Sequence, residues 1–201
     1  MIGAGRSLLL LTAFLILATA TAAAQECAPP KGLSDPWQVE PMGLDELRNA
    51  VGKPQLVSKS VKTPAGDGAG ELEVTAYMHG LFEVGIDAFE AALRQIEEQS
   101  SYLPRLEDSE LLCSDDEPIA FAQVRQKLAF RFLVFGRKYE YILNYVIEDG
   151  GSDEFKIWWT LREPISDQIV ATDGTWYFRR VAVDGDEYTY MAYVTHTLFR
   201  Q

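Results

Sequence analysis

Few side chains in this 201-residue sequence have the types and spacing that catalysis requires. His79 and His196 are its two imidazoles. His79 shares its strand face with Glu71, Glu73 and Glu83, a pattern that reads as solvated. His196 lies near the end of the sequence. With the first and last strands paired antiparallel, the two rings stay several residues apart along the ladder, too far for one site. Asp115-Asp116 and Glu97-Glu98 fall on a loop and a helix end, where adjacent carboxylates read as surface rather than acid–base machinery. There is no Ser-His-Asp or Cys-His arrangement and no phosphate loop. Two cysteines and two distant histidines lack zinc-ligand spacing, so neither a metal nor a cofactor is expected. Cys27 and Cys113 are instead candidates for a disulfide that tethers the N-terminal arm, the alternative being two unpaired thiols.

Aromatic side chains are plentiful, and alternation sorts them. Phe155, Ile157, Trp159 and Leu161 share one face of a strand, and Trp176, Phe178 and Arg180 share a face of the next. On the last strand, Thr189, Met191, Tyr193 and Thr195 form one face, and Tyr188, Tyr190, Val194 and His196 the other. Parity alone leaves open which is inner. Aromatic and Met walls with a few hydroxyls suit a flat or isoprenoid apolar ligand. Any one of these residues would fill a core as readily. As a set on one curved sheet, they describe a cavity wall.

The elements that position them begin at "ELEVTAYMHGLFEV", where Leu72, Val74, Ala76 and Met78 alternate with polar neighbours as in a half-buried strand. "DAFEAALRQIEEQ" follows as a helix, with Asp87 expected as N-cap, Glu90 completing a capping box, and Phe89, Leu93 and Ile96 as its buried stripe. "SSYLPRLEDSELLCSDDEP" is broken by Pro104 and Pro118. Strands then succeed one another from Ile119, with a kink or turn at Gly136 and turns at Gly150-Gly151, Asp173-Gly174 and Asp184-Gly185. Upstream, residues 25–70 are expected to be a largely irregular arm, with a short helix over Gly43–Val51.

Residues 1–24 read as a cleavable signal peptide: Arg6, an apolar run from Leu8 to Ala18, then Ala22-Ala23-Ala24 before Gln25. An uncleaved anchor is the alternative. Ala24-Gln25-Glu26 before Cys27 lacks the small residues that lipid attachment needs. The formal charge is −12, one unit more negative once Arg6 leaves with the leader. That surface repels phosphate backbones and anionic headgroups, so neither nucleic acid nor electrostatic membrane docking is expected.

Several stretches together resemble the START-like (helix-grip, SRPBCC) superfamily, in particular its polyketide-cyclase and coenzyme-Q-binding-protein branch. They are the strand Val74–Val84 running into "DAFEAALRQIEEQSSYLPRL", the hairpin "KYEYILNYVIED" with "FKIWWTLRE", the strand start "GTWYF", and "DGDEYTYMAYV". The resemblance spans about residues 71–198. It implies an α+β domain over 71–201 with a curved antiparallel sheet of about seven strands, small helices after the first strand, and a cavity faced by Trp176 and Phe178. It also implies a C-terminal helix roofing the cavity. The sequence ends about where that helix would begin, so a truncated copy, the Gly43–Val51 segment or a second subunit is expected to account for the cover, and self-association through an open sheet face is a further expectation. The wall candidates are Tyr141, Tyr145, Trp159, Trp176, Phe178, Tyr190, Met191 and Tyr193, with Arg180 as a polar anchor. The function implied is an exported protein, periplasmic or secreted, that binds a lipid or isoprenoid/quinone-like molecule for carriage or shielding. A cyclase- or aromatase-like enzyme and a module that binds a partner protein are the alternatives.

Overall fold

A computed structural model describes residues 27–39, 42–51, 54–63, 70–115, 118–132 and 135–200. The leader expected over residues 1–24 lies outside them. The chain runs α1 (Leu44–Ala50), β1 (Gln55–Thr63), β2 (Glu71–Phe82), α2 (Ile86–Arg94), a 3-10 helix (Ile96–Ser101), β3 (Leu106–Ser114), β4 (Phe121–Phe132), β5 (Phe135–Asp149), β6 (Glu154–Pro164), β7 (Ile169–Val183) and β8 (Asp186–Arg200). All eight strands form one antiparallel sheet in the order β1-β2-β8-β7-β6-β5-β4-β3. A long strand, short helices and an antiparallel meander that returns to that strand make the α+β, helix-grip layout that the sequence implied. Among the described residues no helix is long and apolar enough to cross a membrane.

The sheet is strongly curled. Tyr139 on β5 and Phe199 on β8 are three strand spacings apart, roughly 14 Å in a flat sheet. Their ring centroids nevertheless lie 5.2 Å apart. The resulting concave face carries the main core, which α2 and the 3-10 helix enter through Ile86, Leu93 and Ile96.

The N-terminal arm packs on the opposite, convex face. Leu47 of α1 joins Leu81, Tyr177, Val183, Tyr190 and Ala192 in a second core, with Val39 and Met42 beside it. Asp35 pairs with Lys156, and the Trp37 indole donates to Asp173 at 2.6 Å. The α1 segment therefore does not cover the concave groove. Its Leu47 packs on the far side of β2, β8 and β7. Cys27 and Cys113 form the disulfide, fixing the start of the arm to β3.

Several local expectations change. Among the described residues the sheet has eight strands rather than about seven: edge strand β1 lies where irregular chain was expected, and edge strand β3 lies between the breaks at Pro104 and Pro118. Gly85, not Asp87, caps α2; Asp87 sits in the first turn and makes no capping bond. The α2 helix stops at Arg94, and the chain continues as the 3-10 helix. No turn occurs at Asp173-Gly174, which lies inside β7; the turn falls after Pro164, where the amides of Ile165 and Ser166 both bond the Glu140 carbonyl. Asp184 and Gly185, at φ 53° and 97°, form the tight turn expected of them, a conformation that favours glycine and aspartate.

Candidate ligand cavity

The inner face is a set of cross-strand rows fixed by register. In one row Ala76, Thr195, Gly174, Trp159, Tyr145 and Ala122 are successive partners across six strands. Small residues flank large ones, and that is what lets the rings lie down. A Cβ on Gly174 would lie 2.7 Å from Cη2 of Trp159 and 2.5 Å from the Val194 carbonyl oxygen. The Trp159 ring thus fills the space that a side chain at 174 would claim. It stacks on Tyr145 at 6.3 Å and on Tyr193 at 6.0 Å, and Tyr193 meets Trp176 at 4.2 Å.

These rings wall a cavity of about 670 Å³ on the concave face, within the roughly 300–1,000 Å³ usual for small-molecule sites. Leu72, Val74, Ala76 and Met78 supply the β2 side, and Tyr139 and Phe199 close together at one end. A smaller cavity of about 390 Å³ lies beneath α2 between Phe82, Phe89, Phe178 and Met191. Met78, Leu103 and Trp176 border both.

The polar groups deep in the cavity are neutral, and the charged members of its lining are arginines at the exposed rim. Gln126 donates to Gln99 Oε1 at 3.3 Å, and Gln99 donates to the Leu93 carbonyl at 3.0 Å. Thr172 and Thr197 share a 3.0 Å bond. Burial pushes the Tyr141, Tyr145 and Tyr193 hydroxyls up from their ordinary value, so all three stay protonated near neutral pH. Such an interior can desolvate apolar surface and offer hydrogen bonds to an uncharged group. Among the described residues no cluster of three or more His, Cys, Asp or Glu is placed to hold a metal.

Of the residues singled out from sequence, Tyr141, Tyr145, Trp159, Trp176 and Tyr193 line the larger cavity. Phe178 and Met191 line the smaller one with Trp176, and Phe178 is fully buried under Phe89 at 5.0 Å. Arg180 has the inner parity but lies beyond the wall, at the acidic end of β7, where it pairs with Asp87, Asp153 and Glu187. It anchors nothing in the cavity. Tyr190 is on the convex face, its hydroxyl 2.7 Å from His79 Nδ1. His79 is correspondingly half-buried beside that ring rather than solvated. His196 bridges Glu73 at 3.1 Å and Asp173 at 3.2 Å on the same convex side. Sequence reasoning passed over Gln99, Gln126, Arg105, Arg137 and Arg200, all of which contribute to the cavity lining.

No protein-family model matches the chain, and no curated protein matches it. Among solved structures it is similar to a STAR-related lipid transfer protein fragment from Xanthomonas axonopodis, at 14% identity, over 69% of this chain and 81% of that one, with a TM-score of 0.48. It is similar to the Zhui aromatase/cyclase of a Streptomyces species at 14% identity, over 74% and 70% of the two chains, with a TM-score of 0.46. A START superfamily protein from Mycobacterium smegmatis follows at 12% identity, over 73% and 78%, with a TM-score of 0.44.

Proposed function

We propose that this protein binds a hydrophobic small molecule, a lipid or an isoprenoid or quinone-like compound, in the concave cavity and carries or shields it outside the cytoplasm. The observation that carries this reading is a cavity of about 670 Å³ walled by aromatic and aliphatic side chains, whose deep polar groups are uncharged hydrogen-bonding partners. Desolvation at roughly 25 cal/mol per Å² of apolar area would drive binding. The buried tyrosines and glutamines would orient whatever oxygen the ligand carries. Export is supported by the leader-like first residues and by the Cys27–Cys113 disulfide, which suits an oxidising compartment.

Native mass spectrometry of protein purified without detergent should show a ligand-bound mass that solvent extraction removes. A neutral polarity-sensitive dye should then bind the emptied protein. Filling the cavity with Ala76→Phe should weaken dye binding by about tenfold or more while the fold persists. Dye affinity unchanged by Ala76→Phe would sink the cavity reading.

A further inference from the structure

The cavity lining changes character where it meets solvent. Its exposed members include Leu56, Pro104, Arg105, Arg137 and Arg200. Three arginines in a chain of formal charge −12 run against the composition, and no Asp or Glu belongs to the lining. They come from three separate segments: the loop before β3, the start of β5 and the end of β8. The fold brings them to one end. Arg137 precedes Tyr139 by two residues on the same strand face, and Arg200 follows Phe199. The Tyr139–Phe199 ring contact brings the strand segments that carry these arginines to one end of the curl; Arg200, the last residue of β8, has the opposite parity to Phe199 and meets the lining at its rim. Arg105 is held at that end by its carbonyl, which accepts the Ala129 amide at 2.8 Å, and Ala129 is the register partner of Lys138, next to Arg137. Its φ of 71° is one of two positive values at non-glycine residues among those described.

Charge balance sharpens the point. Most nearby basic groups are already matched: Lys138 by Glu107, Lys127 by Asp108, and Arg125 by Glu110. No ion pair among the described residues involves Arg137 or Arg200, although Glu71 is the register partner of Arg200. Arg105 has further contacts within the protein. A guanidinium offers paired donors that fit carboxylate or phosphate oxygens, and hydrogen bonds to such anions are stronger than neutral ones.

We propose that the ligand is a single-chain amphiphile with an anionic head, its carboxylate or phosphate held at the Arg105, Arg137 and Arg200 end and its apolar chain laid along Tyr141, Trp159 and Tyr193. This rests on the cavity-binding reading above and adds the class of molecule. The head stays in partial contact with water, so its attraction weakens with ionic strength, whereas chain burial does not.

The test compares hexadecanoate, hexadecyl phosphate and hexadecanol, each below its aggregation or solubility limit, by displacement of the neutral dye from wild type and from Arg137→Gln/Arg200→Gln. Wild type should bind at least one anion about tenfold or more tighter than the alcohol, and that preference should shrink at high salt. The double variant should bring the anion-to-alcohol ratio toward one, with an unaltered circular dichroism spectrum and melting temperature. Whichever anion shows the larger ratio identifies the head. Equal affinity for alcohol and anions in wild type, or a ratio untouched in the double variant, would overturn the anionic assignment while leaving the cavity reading standing. If neither dye nor any amphiphile binds wild type, the cavity reading falls and takes this proposal with it.

Discussion

His79 and Tyr190 show how one polar pair is tuned by the face it lies on. Burial lowers the His79 pKa from its ordinary 6.5, partly opposed by the Glu46 carboxylate. The neutral ring can accept the Tyr190 hydroxyl at Nδ1, 2.7 Å away. A base whose folded pKa is depressed binds fewer protons in the native state than in the unfolded chain. Its stabilising contribution is complete above 6.5 and is lost as pH falls through the lower native value. Melting temperature should therefore drop as pH is lowered from neutrality through 6.5 and below, and His79→Gln should flatten that part of the profile. A variant profile parallel to wild type would assign the acid sensitivity to other groups. The residue-level sequence reading missed this pair for a physical reason: its solvation is decided by α1, an element far from it in sequence. Parity correctly grouped Tyr193 with Met191 and separated both from Tyr190, but it carries no information about which group faces inward. The arginines escaped notice because they sit at strand ends and in a loop, where alternation says nothing.

Elements divide by how much apolar surface they bury. The central strands were legible because "YEYILNYVIED", "FKIWWTLRE" and "TWYF" commit large side chains to a face. The edges were not. "QLVSKSVKT" of β1 carries lysines and serines, and "LEDSELLCS" of β3 carries acids, as suits strands paired on one side only. Helix α1 has seven residues and is too short to persist alone. Its order comes from docking Leu47, 4% exposed, on the convex core. Leu47→Ala should cost about 2–5 kcal/mol of stability in urea unfolding. Because α1 and the cavity lie on opposite faces, ligand affinity of the folded variant should remain that of wild type. A loss of affinity at full folding would mean that the two faces communicate.

At the scale of the molecule, the arm is an outer strap. It begins at the disulfide on β3, meets β6 through Asp35 and β7 through Trp37, docks α1 on β2, β8 and β7, and returns as edge strand β1. The Cys27–Cys113 link closes a separation of 86 residues, and such cross-links typically contribute about 2–4 kcal/mol. Cys27→Ser/Cys113→Ser should accordingly lower the melting temperature by roughly 5–15 °C. An unchanged melting temperature would show that the docked arm holds without its tether. The pairing of β2 sets a further condition, one of order in time. Beyond its hairpin partner β1 and a single bridge from Val51 to Leu81, β2 pairs among the described residues with β8, Glu71 lying opposite Arg200 and Phe82 opposite Thr189. A two-stranded hairpin is marginal by itself, so while the polypeptide is being synthesised Leu72, Val74, Ala76 and Met78 wait uncovered until residues 186–200 emerge. Pairings of such long sequence separation slow folding toward roughly milliseconds to seconds. Throughout that interval the β2 side of the cavity has no neighbour to complete it, and the nascent chain presents it to any chaperone or aggregating partner within reach.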